Sequence, residues 1–415
     1  MKFILKFVIS IIIICFLVVI GGLSYKYGYT QKAVSIFAKF ATNLHLRYNQ
    51  IERDPQDVIF TNNYGFGVKY YDQISLNRYG GIDLYEEKLI YVDGRGSIFF
   101  GDSFKQIGQI RTEDNEQQFV RQFGIDDTFS IKDIFVKNST VYYSSIIFDP
   151  IGNCYKLGVF SVDLQLQTEY NKTGSKLFET DPCLGQHKSD DFMGTSAGGR
   201  IFVVDDHLYL TVGDFYFDGV NDRDITRIRG SDYGKLISFN LLNNNKITKV
   251  KGFRNPQGLV NTPHGMFISE HGPQGGDEIN KIDLKLDNQQ DFGWPKASYG
   301  VDYGEDTWPS DPDNNNHDKP DITKPKFFFI PSIGISSLDY IPQDSPLTAW
   351  ADSLITSSLR EESLYISEFG SDGELISMEQ VYIENRVRDV KYTDKSIYVL
   401  IDTEPTSIMQ LQLIN

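Results

Sequence analysis

Residues Lys251 to Pro295 read KGFRNPQGLVNTPHGMFISEHGPQGGDEINKIDLKLDNQQDFGWP. Two short β-like runs stand inside this stretch, Met266–Ser269 and Glu278–Asp283, joined by a glycine-rich turn. Ahead of them Arg254, Asn255 and Gln257 gather a dense set of hydrogen-bond donors around Pro256. Arginine offers a planar fork that matches carboxylate or phosphate groups. One such arginine alone reads as a solvated surface turn; three donors beside Pro256 and Gly258 read as a binding loop. In the turn, the adjacent carboxylates Asp277 and Glu278 follow free backbone carbonyls at Gly272 and Pro273. Several oxygens of these two kinds suit a hard cation such as calcium, although the spacing is not that of an EF-hand. His271 is a ligand, a base or simply a structural loop residue.

Outward from this stretch the same texture recurs. Short β-branched and aromatic runs alternate with Gly, Asn and Asp turns at Lys88–Val92, Thr140–Phe148, His207–Val212, Gly265–Glu270, Leu364–Glu368 and Ser396–Asp402. A second strand of the type Gly234–Phe239 or Glu278–Asp283 follows after a connection. Repeated four-strand units of this kind build a β-propeller, while a β-sandwich or barrel shares the composition. The polar insertion Asp302–Thr323 then forms a loop at one end of an all-β body spanning residues 58–415.

Apolar residues make up 40% of the 415-residue chain and aromatics 13%, enough for a packed core, which excludes global disorder. A formal charge of −16 argues against a nucleic-acid partner, because phosphate binding needs a basic face. It also makes any cluster of arginines a feature that asks for a local reason.

Met1–Lys6 carry two lysines, and Phe7–Leu23 run almost wholly apolar, about the length that crosses a hydrocarbon core. No small-residue cleavage site follows, so residues 1–29 read as a signal anchor, with a cleaved signal peptide as the alternative. Either way the body is expected outside the cytoplasm, in the periplasm or an equivalent space. Thr30–Tyr48 has helix-like apolar spacing, and residues 30–57 read as a juxtamembrane helix or linker. Cys15 lies in the apolar span. Cys154 and Cys183 remain as a pair for an oxidising compartment, either bridged or as two buried thiols.

Three blocks in order resemble the signature of the glucose/sorbosone dehydrogenase family: Phe253–Leu259, Glu270–Pro273 with Gly275–Asn280, and Phe292–Pro295. These are soluble-type aldose dehydrogenases that use pyrroloquinoline quinone (PQQ) and calcium on a six-bladed β-propeller. The resemblance runs from about Gly80 to the C-terminus. It implies an active-site aspartate at Asp214, after Leu208–Gly213. It implies cofactor contacts from Arg254, Asn255 and Gln257, from Ser332 in Pro331–Ser337, from Arg360 where a lysine is usual, and from Arg386 and Arg388. Calcium would rest on the Gly272 and Pro273 carbonyls, with Asp277 and Glu278 serving a second, structural calcium. Arg254 would also stabilise negative charge on the reduced cofactor. The chemistry agrees, since PQQ is a tricarboxylate and four guanidiniums are on offer in an acidic chain.

Studied members of the family place a general-base histidine where this chain has Ser196. An unaided hydroxyl is far too weak a base near neutral pH. His187, His271 or Asp214 could take the proton instead. Three functions follow: a PQQ- and calcium-dependent oxidation of an aldose at its anomeric carbon, passing electrons to an extracytoplasmic acceptor; a non-catalytic propeller binding a sugar or a partner; and a calcium-dependent hydrolase of lactone type.

Overall fold

Strands buried on both faces give the fold its shape. The second strands of the sheets, such as Lys88–Val92, His207–Val212 and Gly265–His271, are apolar nearly throughout, because each lies between neighbouring sheets. The computed structural model describes residues 58–111, 130–164, 170–185, 194–219, 223–285, 290–300 and 317–414. Among them are six sheets of four or five strands, antiparallel except for one strand pair. Their first strands, Gly81–Tyr85, Ile131–Lys137, Gly198–Val204, Asn255–Thr262, Ile335–Ile341 and Val387–Thr393, touch in that order, and the last touches the first. The result is a six-bladed β-propeller, which decides against the sandwich and the barrel. We number the blades one to six in the order of these inner strands.

Blade six is sealed by the beginning of the body. Gly65–Ser75 pairs antiparallel with Thr406–Leu413, so the ring closes through strands from both ends of the described chain. Blade one carries an unusual fifth strand, Tyr170–Thr173, which runs parallel to Lys105–Arg111.

Aspartates on the inner strands stitch the blades together. Asp83 accepts the Val136 amide at 2.6 Å, Asp133 that of Ile201 at 2.8 Å, Asp339 that of Tyr392 at 2.6 Å, and Asp389 that of Ile82 at 3.1 Å. Each carboxylate thus reaches from one blade to the next. At the centre, buried Arg200 pairs with Asp133 at 2.9 Å and Asp389 at 3.1 Å, and also donates to the Arg388 carbonyl at 3.1 Å. A buried charge tolerates such a place only when paired and hydrogen-bonded, and Arg200 is both.

Cys154 and Cys183 form a disulfide, with a Cα–Cα separation of 5.6 Å. It fixes the segment after blade two's last strand, which also bridges to Tyr155 through Leu184. Among the described residues the helix content is the single 3-10 turn Thr348–Trp350, and no helix is long and apolar enough to cross a membrane. The expected membrane segment 1–29 and juxtamembrane helix 30–57 lie outside the described residues, as does His187.

Candidate functional site

The candidate residues collect at one end of the ring, where the chain enters the inner strands. Ser196 precedes Gly198–Val204, Arg254 precedes Asn255–Thr262, Ser332 precedes Ile335–Ile341, and Arg386 precedes Val387–Thr393. Asp214 and His271 reach the same end from the far ends of the second strands of blades three and four.

Asp214 is fully buried, and its carboxylate is held on all sides. Ser196 donates its hydroxyl to Oδ1 at 2.7 Å, the Tyr216 amide donates to the same oxygen at 2.9 Å, and the Trp294 indole N–H donates to Oδ2 at 2.8 Å. The Asp214 amide in turn donates to the Arg254 carbonyl at 2.8 Å, tying blade three to blade four. Burial pushes the Asp214 carboxyl up to about 7; nearby Asp218 adds to the rise, and Arg254, Tyr216 and Ser196 oppose it. Local backbone strain accompanies this packing. Ser196, Phe215 and Tyr216 all have positive φ, at 56°, 55° and 63°. Gly213 passes so close to the Ser196 carbonyl that a Cβ there would lie 2.0 Å from the oxygen, so no other residue fits.

Arg254 forms the next wall. Its backbone N–H donates to Glu270, and its guanidinium donates to the Gly272 carbonyl at 2.9 Å. The guanidinium carbon also lies 5.7 Å from the Tyr216 ring centre and 5.5 Å from that of Trp294, within cation–π range. Asn255 and Gln257 bond to one another at 2.8 Å, and Asn255 accepts the Gly198 amide at 3.3 Å. Both thus brace the junction of blades three and four.

Beneath Arg254 lies a small cavity walled by Glu270, Gly272, Glu278, Phe292 and Trp294. Burial and the neighbouring Glu278 hold the Glu270 carboxyl well above its usual range, while burial pushes Glu278 up to about 8. Asn280 donates to Glu278 at 3.2 Å, and its own Oδ1 is buried without a donor among the described residues. Pro273 is buried beside Gly272, so close to Gly300 that a Cβ there would lie 2.7 Å from its ring. Asp277 commits both oxygens to backbone amides, those of Gly272 at 3.1 Å and Ile335 at 3.0 Å, and so joins blade four to blade five. Glu270 therefore stands beside Glu278 in the cavity, where the sequence pointed to Asp277.

On the far side, Arg386 and Arg388 share Asp402, at 3.4 and 3.0 Å. Ser332 accepts the Gly334 amide at 3.4 Å. Arg360 lies at the rim with its side chain 62% exposed and Glu361 at 3.8 Å. His271 is kept neutral, its imidazole lowered to about 4 chiefly by burial; Asp277, 4.0 Å away, opposes that effect and the surrounding arginines add to it.

Sequence reasoning missed three residues. Trp294 was seen as part of a block but not as the partner of Asp214. Glu270 stands in the sequence at the end of a strand and in the Glu270–Pro273 block, with no role assigned to its carboxylate. His317 is buried in the long insertion, 3.2 Å from the Phe292 carbonyl and 3.4 Å from Glu278, and stacked on Tyr299. No local pattern marks His317, because its partners lie 18 to 39 positions away in sequence.

The chain belongs to the glucose/sorbosone dehydrogenase family, whose family model matches residues 87–410. It is 27% identical to the aldose sugar dehydrogenase YliI of Escherichia coli over 165 residues, covering 39% of this chain and 42% of that protein. It is 32% identical to the quinoprotein glucose dehydrogenase B of Acinetobacter calcoaceticus over 163 residues, covering 32% and 33%. The matches therefore span less than half the length of these two curated relatives. Among solved structures, the soluble aldose sugar dehydrogenase of Escherichia coli in its apo form aligns with a TM-score of 0.63 at 19% identity, covering 83% of this chain and 99% of that one. The PQQ-bound aldose sugar dehydrogenase of Streptomyces coelicolor aligns with a TM-score of 0.58 at 16% identity, covering 86% and 100%. These structural likenesses concern the fold.

Proposed function

We propose that the chain is a PQQ- and calcium-dependent oxidoreductase that oxidises an aldose at its anomeric carbon outside the cytoplasm. The observation that carries this reading is the Ser196–Asp214–Trp294 set locked to Arg254 through the backbone. It puts a proton acceptor and a fixed cation side by side at the mouth of the ring.

The residues fit the implied groups. Glu270, Glu278 and Ser298 line a small cavity whose carboxylate and hydroxyl oxygens are of the kind a calcium ion takes. Arg254, Arg386 and Arg388 present guanidiniums to a polycarboxylate, with Ser332, Asn255 and Gln257 as polar wall and Arg360 at the rim. When bound, the quinone supplies a two-electron acceptor for the hydride leaving the sugar. Ser196 takes the anomeric hydroxyl proton while passing its own to Oδ1 of Asp214. A carboxylate with its proton affinity matched to neutral pH serves as the acceptor that a lone serine lacks. Arg254 then faces the charge that develops on the acceptor.

Ser196 also favours a second reading, a propeller that binds a sugar or partner without turnover, since Asp214 itself has no exposure. The experiment is to load the full chain with PQQ and calcium and to follow an artificial redox dye against a panel of aldoses. Dye reduction supports the enzyme. Tight PQQ uptake without it leaves the binding propeller, and no uptake removes the cofactor.

A further inference from the structure

Blade one enters its inner strand through Asn77, Arg78 and Tyr79, at the end of the ring where Arg254 enters blade four and Arg386 enters blade six. The side chain of Arg78 crosses to blade six and meets Asp402 at 3.2 Å. Asp402 is buried, and Arg78, Arg386 and Arg388 all converge on its Oδ2. Its carboxylate is accordingly held below the usual range despite burial, by Arg388 first and then Arg78. Arg386 and Arg388 alone outweigh its single charge, and each gives it one of five N–H donors. The Nε of Arg388 is buried and has no acceptor among the described residues.

The aromatic ring of Tyr79 organises the same cluster. The guanidinium carbons of Arg78 and Arg388 lie 5.4 and 5.5 Å from its centre, and the Lys132 ammonium lies 5.8 Å away. Tyr79 holds a φ of 68°, a conformation that a bulky residue adopts only under constraint. Beside it opens a polar cavity walled by Asn77, Arg78, Tyr79, Arg95 and Ser130, with the carboxylate Glu404 also in its wall. Three blades, six, one and two, thus bring cations to one tyrosine at the same mouth as Arg254.

We propose that Arg78 and Lys132, mounted on Tyr79, form a second half of the anion cradle begun by Arg386 and Arg388, and that its ligand is a polycarboxylate. The inference deepens the reading above, in which that polycarboxylate is the quinone. The shared anchor explains why the cradle is preformed: Asp402 orients three guanidiniums before any ligand arrives, and a preoriented donor loses less on binding.

The test measures equilibrium binding to the calcium-loaded full chain by calorimetry, with two probes, PQQ and benzene-1,3,5-tricarboxylate. Arg78→Ala is expected to weaken both by ~10- to 100-fold, the loss typical of one charge-assisted contact, and Arg78→Lys to recover part of it. The trimethyl ester of PQQ, which lacks the charges, is expected to bind wild type and Arg78→Ala alike, an outcome that a merely structural role for Arg78 does not produce. Wild-type affinity of Arg78→Ala for both probes overturns the cradle and leaves the quinone reading standing. Binding of the tricarboxylate but not PQQ, lost with Arg78→Ala, upholds the cradle and sinks the quinone reading. No binding of either probe by wild type overturns both. If Arg78→Ala does not fold, Lys132→Ala poses the same question and is expected to weaken both probes, and unchanged affinity there overturns the cradle.

Discussion

The Ser196 hydroxyl donates to Oδ1 of Asp214 across 2.7 Å, in a pocket where neither residue is more than 7% exposed. This contact puts serine where a stronger base is usual and leaves the proton affinity with the aspartate behind it. Ser196→Ala is therefore expected to lower turnover by ~100-fold or more, the usual scale of a lost acid–base group. Ser196→His, which places an imidazole against the same carboxylate, is expected to retain or raise turnover. Steady-state dye reduction with the PQQ- and calcium-loaded chain measures both, and an unimpaired Ser196→Ala would exclude the relay.

Trp294 supplies the only side-chain hydrogen bond to Oδ2 of Asp214 among those described. A donor to the charged form favours ionisation, so Trp294→Phe should raise the Asp214 carboxyl further above about 7. Turnover that requires ionised Asp214 rises with pH through that value. The rising limb should move to higher pH by about one unit in Trp294→Phe, on the scale of one lost hydrogen bond. A pH–rate profile reads the shift directly.

The same carboxyl links stability to pH. Its affinity for a proton is higher folded than unfolded, so the folded state holds more protons between about pH 4 and pH 7. The stability it contributes is complete below the unfolded value and declines as pH rises through that window. Asp214→Asn should flatten this part of the curve. Thermal melts of the two chains from pH 4 to pH 8 check it.

Calcium should act on Glu270 and Glu278, which face one cavity with like charge. Chelation is expected to lower the melting temperature by several degrees, since a ligand at 100 times its dissociation constant adds about 2.7 kcal/mol. Glu278→Gln should melt at one temperature with or without calcium. A chelator effect that survives in this variant would place the ion elsewhere.

The Cys154–Cys183 bridge joins residues 29 positions apart. Replacing both cysteines with serine should cost about 2–4 kcal/mol through the freed unfolded chain. Denaturant melts should place the reduced and doubly substituted chains together, both below the oxidised chain; equal stability of all three would show that the bridge adds nothing.

Much of the ring was legible because its middle strands are apolar on both faces. The runs Lys88–Val92 and His207–Val212 coincide with strands of the structure, and Gly265–Glu270 and Ser396–Asp402 differ from theirs by one residue. Outer strands such as Lys246–Lys251 and Leu375–Tyr382 face solvent and carry polar residues, so they resemble loops. In the site, the Arg254 block was legible because its donors lie within four residues. Asp402 was not, since its meaning depends on Arg78, which lies 324 positions earlier. Such convergence is a property of the ring and leaves no local spacing to read.

The seal of blade six sets a clock on the molecule. Tyr71 bonds Gln410, 339 positions later, and the strands around them complete the circle. Closing so long a loop is slow, because its entropy is lost before any pairing rewards it. Until residues 406–413 are available, blades one to five stand as an open arc with an unpaired edge, a surface that invites pairing with other chains. The interval between synthesis of the two halves of that seam is thus when the protein is most exposed to misassembly. Anything that shields residues 65–75 during it should raise the yield of closed rings.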